Sequence, residues 1–140
     1  LYERSSYILG LNICYRMQLP SEIEARYLLP SLRAYIAKKL ILEKGYTQEK
    51  AAKAMGLTQA AVSNYLRGVR GFKIDLEGNL EISKYIEEIV EMVCNNVPAE
   101  EITKKLNELL VYIRKKGILC NLHKTVEPIL NTKKCGVCKE

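Results

Sequence analysis

Residues 47–67 read Thr-Gln-Glu-Lys-Ala-Ala-Lys-Ala-Met-Gly-Leu-Thr-Gln-Ala-Ala-Val-Ser-Asn-Tyr-Leu-Arg, and this stretch decides the fold. Counting from Gln48, Ala52 falls at the fifth place, where two helices can cross closely only if the side chain is small. Gly56 falls at the ninth, where the chain leaves the first helix in the left-handed conformation that glycine adopts without penalty. Thr58 then offers its hydroxyl as N-cap of a second helix. Val62, Tyr65 and Leu66 lie at i, i+3 and i+4 of that helix, so one apolar face is set against Ala51, Met55 and Leu57. Each feature is common alone. Together, at these spacings, they specify a helix-turn-helix.

The other side of the second helix carries Gln59, Ala60, Ser63, Asn64 and Arg67, which share one face at about 100° per residue. A solvated polar face would look the same, but the alanine and glycine spacing favours contact with duplex DNA. A recognition helix that enters the major groove by its N-terminal end presents Gln59 and Ala60 first. Gln and Asn can bond adenine bidentately, and an alanine methyl can touch the thymine methyl. Gln48 opens the first helix, where a side-chain donor joins free backbone N–H groups at a phosphate. Arg67, Arg70 and Lys73 follow the second helix with Gly68 and Gly71 between them, and are expected to hold phosphates. Arg67, nearest the helix, also has the reach for a base.

Charge supports a nucleic-acid partner. The chain has 140 residues and a net charge of +6. Residues 1–74 carry 12 Lys and Arg against 5 Asp and Glu, whereas residues 75–140 carry 10 against 11. The excess cations therefore sit in the half with the helix-turn-helix, as counterion release from DNA requires. Hydrophobic content of 48% suffices for a core, and no run of about 18 apolar residues suggests a membrane span. The stretch Tyr7–Tyr15 after Arg4 faintly resembles a signal peptide, but it is short, contains Asn12 and lacks a small-residue cleavage site. A cytoplasmic protein is expected.

The pattern divides the chain into a DNA-binding domain at 17–74, a second domain at 75–140, and an extension at 1–16 of unreadable role. Ser21 and Glu24 make a capping-box pair for a short helix, and Pro30 starts or kinks a longer one through about Lys44. Leu32, Tyr35, Ile36, Leu40 and Ile41 supply its inner face, and Gly45 ends it. Residues 67–79 are glycine-punctuated and join the halves, with room for a short extended segment. Ile82, Ile86, Ile89 and Val93 then recur at spacings 4, 3, 4, and so do Ile102, Leu106, Leu109 and Ile113. Pro98 with Glu100 and Glu101 starts the second of these helices. The two stripes form a helical hairpin that buries itself or serves as the interface of a homodimer. No strand pattern stands out, so the fold class is all-α.

The segment 117–140 lacks sustained helical periodicity yet carries Cys120, His123, Cys135 and Cys138, while Cys94 ends the first hairpin helix. A purely solubilising tail needs no cysteines, and a cytosolic protein seldom uses disulfides. Cys135-Gly136-Val137-Cys138 can present two sulfurs to one metal, and Lys133 and Lys134 favour the thiolates. Cys94, Cys120, Cys135 and Cys138 would supply four thiolates to a [4Fe-4S] or [2Fe-2S] iron–sulfur cluster. Cys120 and His123 with Cys135 and Cys138 would instead make a Cys3His zinc site. Cys14 lies in the extension, apart from both sets.

Residues 48–67 resemble the helix-turn-helix of the XRE family, which includes lambdoid phage repressors and Cro. Leu19-Pro20-Ser21-Glu22-Ile23-Glu24-Ala25-Arg26-Tyr27-Leu28-Leu29-Pro30, followed by Ser31-Leu32-Arg33-Ala34, resembles the opening of archaeal XRE-type regulators, some of which add a thiamine-phosphate synthase-like sensor domain. This chain has the cysteine segment in that place. The resemblance implies a lambda-repressor-like bundle, major-groove contact by Gln59, Ala60, Ser63 and Asn64, and phosphate contact by Gln48. Ala60 and Ala61 stand where longer readers are frequent, so base preference does not transfer. The expectation is a dimeric, non-enzymatic transcriptional regulator that responds to redox or iron state. Two other classes remain open. A protein-binding transcriptional cofactor would use the same fold without reading bases, and a thiol–disulfide enzyme would use Cys135 and Cys138.

Overall fold

The computed structural model describes residues 19–68, Leu76, 78–126 and Val137. The described chain opens on α1, Pro20–Ile23, with Pro20 at a first-turn position where its missing N–H is not needed. Glu22 Oε1 reaches back to the N–H of Leu19 at 3.5 Å. The cap is thus formed two residues earlier than Ser21 and Glu24 suggested, because the pattern overlooked the preference of proline for the helix start. One π-turn follows, Glu24–Leu28, and runs directly into α2, Leu29–Leu42. Within it the Leu29 N–H donates to Glu24 O, five residues back. Pro30 comes next and cannot donate, and the wider turn makes room for its ring. Pro30 therefore stands in the first turn of α2, as expected of a proline that starts a helix, while the π-turn joins it to α1 without a break.

Five further helices complete the described fold: α3, Gln48–Met55; α4, Gln59–Leu66; α5, Leu80–Cys94; α6, Ala99–Lys115; and α7, Ile118–Val126. No strand occurs among the described residues. Gly45 (φ 72°) ends the turns after α2, and Asn96 (φ 56°) turns the chain between α5 and α6. α6 then begins behind Pro98 with Glu100 and Glu101 in its first turn and Arg114 and Lys115 in its last, each placed favourably for the helix dipole.

Helix α2 is the spine. It packs on α3 and α4 along one side and on α5 along another, while α7 packs on α6 and returns to α1. Leu32, Tyr35, Ile36 and Leu40 of α2 share one core with Ile82, Ile86, Ile89 and Val90 of α5, Leu109 and Ile113 of α6, and Leu119 of α7. The hairpin stripes are therefore largely consumed inside the chain: Ile82, Ile86, Ile89, Leu109 and Ile113 are all buried. Val93, Ile102 and Leu106 are half-buried at its margin.

Polar contacts fix the register of α5 on α2, which run parallel. The Tyr35 hydroxyl meets Ser83 Oγ at 3.2 Å, Lys39 pairs with Glu87, and Lys44 pairs with Glu91. The Tyr46 phenol lies beside Cys94, and this neighbour raises its pKa above the ordinary value. Glu87 likewise holds Lys39 firmly cationic. At the other end of the bundle, Glu24 and Arg114 approach to 3.3 Å without aligning for a hydrogen bond. Burial raises the Glu24 carboxyl above the usual range, and Arg114 only partly offsets it.

The segment after Gly117 was expected to lack a helix, and α7 corrects this. Leu119, Cys120, Leu122 and His123 are all buried, a helical face at i, i+1, i+3 and i+4. Cysteine and histidine, weighed as ligands, hid half of that face from a hydrophobic pattern. The linker at 69–75 and the extension at 1–16 lie outside the described residues.

Candidate nucleic-acid interface

The helix-turn-helix is built on three small or branched side chains. Ala37 of α2, Ala52 of α3 and Val62 of α4 are buried together where the three helices meet. Ile41, Met55, Leu57 and Leu66 close around them. Small residues from α2 and α3 let α4 approach closely, which is what Ala52 was expected to do. Ala37 was not singled out, because one alanine in a helix carries no signal until its neighbour is known.

The turn is equally specific. Gly56 is left-handed at φ 67°, and its N–H returns to the carbonyls of Ala52 and Lys53. No atom lies within 4 Å of where a Cβ would stand, so the glycine is needed for its backbone conformation rather than for space. Leu57 N–H then donates to Ala52 O at 2.8 Å. Thr58 Oγ1 accepts from Ala61 N at 3.0 Å, capping α4, and Thr47 Oγ1 accepts from Lys50 N at the same distance, capping α3. Thr47 was missed as a cap although a threonine before the first helical residue is a legible signal.

With Ala61, Val62 and Tyr65 buried and Leu66 packed at the crossing, the other α4 residues face outward. Thr58, Gln59, Ala60 and Arg67 are exposed, and Ser63 and Asn64 are half-buried between them. Arg67 Nη2 donates to Asn64 Oδ1 at 2.6 Å. Gln48 is half-buried at the first position of α3, where backbone N–H groups lack intrahelical acceptors. Lys50, in the same turn, is exposed with its ammonium 4.1 Å from the centre of the Tyr46 ring. Arg70 and Lys73 lie outside the described residues.

Of the four predicted sulfur ligands, Cys94 and Cys120 lie among the described residues, at opposite ends of α6. Cys94 closes α5 beside the turn into α6, whereas Cys120 lies in the first turn of α7, beyond the far end of α6. The 17 residues of α6 span about 25 Å at about 1.5 Å per residue. Cys94 is half-buried and engaged with Tyr46; Cys120 is buried, one turn from buried His123. Cys135 and Cys138 lie outside the described residues. Among the described residues no three His, Cys, Asp or Glu side chains are grouped as a metal site.

A buried three-helix crossing, a glycine turn and an outward polar helix face define a helix-turn-helix module, a class of DNA-binding domain. Comparison with known families agrees: residues 36–76 match the model of the helix-turn-helix family. No curated protein and no solved structure matches the chain. Among the described residues no helix is long and apolar enough to cross a membrane.

Proposed function

We propose that this chain is a sequence-specific transcriptional regulator that places α4 in the major groove of double-stranded DNA. The observation that carries this is the face of Gln59, Ala60, Ser63, Asn64 and Arg67, held outward by the buried Ala37–Ala52–Val62 crossing. Gln59 and Ala60 meet base edges first, with Ser63 and Asn64 one turn deeper. Gln48 and the N-terminal turns of α3 and α4, with Thr58, Arg70 and Lys73, hold phosphates and fix the angle of entry, while Arg67 stays on the reading face beside Asn64. An eight-residue recognition helix reads only a half-site, so two copies acting on a two-fold operator complete the reading. Gln59→Ala should weaken operator binding by about 1–3 kcal/mol while leaving binding to random duplex unchanged. Competition titrations check this, and equal loss on both DNAs would favour a cofactor that uses the same fold without reading bases.

The cysteines give the regulator its second feature, a bound metal centre. The four-thiolate iron–sulfur cluster that would make it a redox or iron sensor would draw Cys94 and Cys120 from opposite ends of α6. Cys120 and His123, both buried on one face of α7, favour the zinc set with Cys135 and Cys138. Anaerobically purified protein should then hold zinc and neither iron nor sulfide, and Cys94→Ser should leave the metal content unchanged. Iron and sulfide that disappear in Cys94→Ser would restore the four-cysteine cluster.

A further inference from the structure

The outward face of α4 contains one internal hydrogen bond that limits how a reader can meet a base. Arg67 caps the helix at its C-terminal end and donates from Nη2 to Asn64 Oδ1 at 2.6 Å. The two residues are three apart, so they stand one above the other on the same face. An unengaged asparagine amide offers an acceptor and a donor side by side, which matches adenine N7 and N6–H2. Here the acceptor is turned toward a guanidinium. The Nδ2 hydrogens point the other way, and the cation beside Oδ1 repels the electropositive amino group that adenine would bring. Adenine at that position would find only the second lone pair of an Oδ1 already shared with a cation, a weaker contact than its N6–H2 needs in a dehydrated interface.

We infer that Arg67 is a positioning residue that turns Asn64 toward donating, so that the base met by Asn64 is a keto base, guanine or thymine, rather than adenine. Guanine offers O6 and N7 and thymine offers O4, all acceptors in the major groove. The inference rests on the DNA-binding reading of α4. It differs from the simple expectation that an asparagine on a recognition helix selects adenine. It also separates Arg67 from a plain phosphate clamp, whose removal would weaken all sequences alike.

The test is selection from a random duplex library by the wild type, Asn64→Ala and Arg67→Met. Asn64→Ala identifies the base-pair position that Asn64 reads. Comparison of wild type with Arg67→Met also stands alone, since one position only should change. The expected result is guanine or thymine at that position in the wild type. In Arg67→Met the ratio of adenine to keto bases there should rise roughly tenfold, with the rest of the motif kept. A wild-type preference for adenine at that position overturns the inference. So does an Arg67→Met protein that selects the same motif with uniformly lower affinity and a shallower salt dependence. If the wild type enriches no motif, the DNA-reading function itself fails and takes this inference with it, an outcome distinct from the other two because no motif survives.

Discussion

Ile86→Ala is expected to cost about 2–5 kcal/mol of stability and to lower the melting temperature by roughly 10 °C in a single transition. Ile86 is fully buried in the middle of α5, in the same core as Leu32, Ile36 and Leu40 of α2. Truncation removes three carbons from a packed site that α2, α5 and α6 share, and the bundle cannot collapse to refill it without moving α2. Because α2 also supplies Ala37 to the crossing with α3 and α4, the loss should reach the DNA-binding half. Calorimetry checks this directly. Two separate transitions, with only one shifted, would mean that the halves melt independently despite their shared core.

Ala52→Leu should have the second large effect, and one weighted toward function. Ala37, Ala52 and Val62 are all buried at the point where three helices meet, and three further carbons have no space there. Overpacking of this kind costs about 1–3 kcal/mol. The larger consequence is geometric. α4 must move away from α3, and the phosphate contacts at the start of α3 then no longer match base contacts from α4. Operator affinity should fall at least tenfold at a temperature where circular dichroism still shows a folded helical protein. A folded Ala52→Leu protein with wild-type operator affinity would show that the crossing does not set the position of α4.

The sequence was most legible where backbone geometry dictates residue type. Gly56 must be left-handed, Thr58 must cap and Ala52 must be small, and each requirement leaves a visible residue at a fixed spacing. The hairpin was legible for a similar reason, since a spacing of 4, 3, 4 in isoleucine and leucine has few other causes. Its destination was not. The stripe on α5 fits α2 as well as it fits α6 or a second copy, and periodicity alone does not name the partner. The π-turn at Glu24–Leu28 was invisible because proline reads as a boundary unless the preceding turn can widen. The link from Tyr46 to Cys94 joins residues far apart in sequence and has no local signature.

The candidate site was legible as a set of residues but not as an arrangement. Gln59, Ala60, Ser63, Asn64 and Arg67 follow from helical spacing, and the structure places them together on the outer side of α4. The bond from Arg67 to Asn64 changes the chemistry of that face, and no spacing rule distinguishes paired from independent side chains. The cysteines show how little spacing along the chain says of spacing in the fold. Four sulfurs counted along the chain make a plausible cluster, but one helix of length about 25 Å separates two of them.

The measurement that tests the central claim most directly is selection of binding sites from a random duplex library by the wild-type protein, followed by titration of the selected site at several salt concentrations. The account predicts a defined motif, with affinity at least a thousandfold above random duplex and falling steeply as salt rises, as release of phosphate-bound counterions requires. Equal affinity for selected and random duplex would contradict it and remove base reading by α4 from the function of this protein.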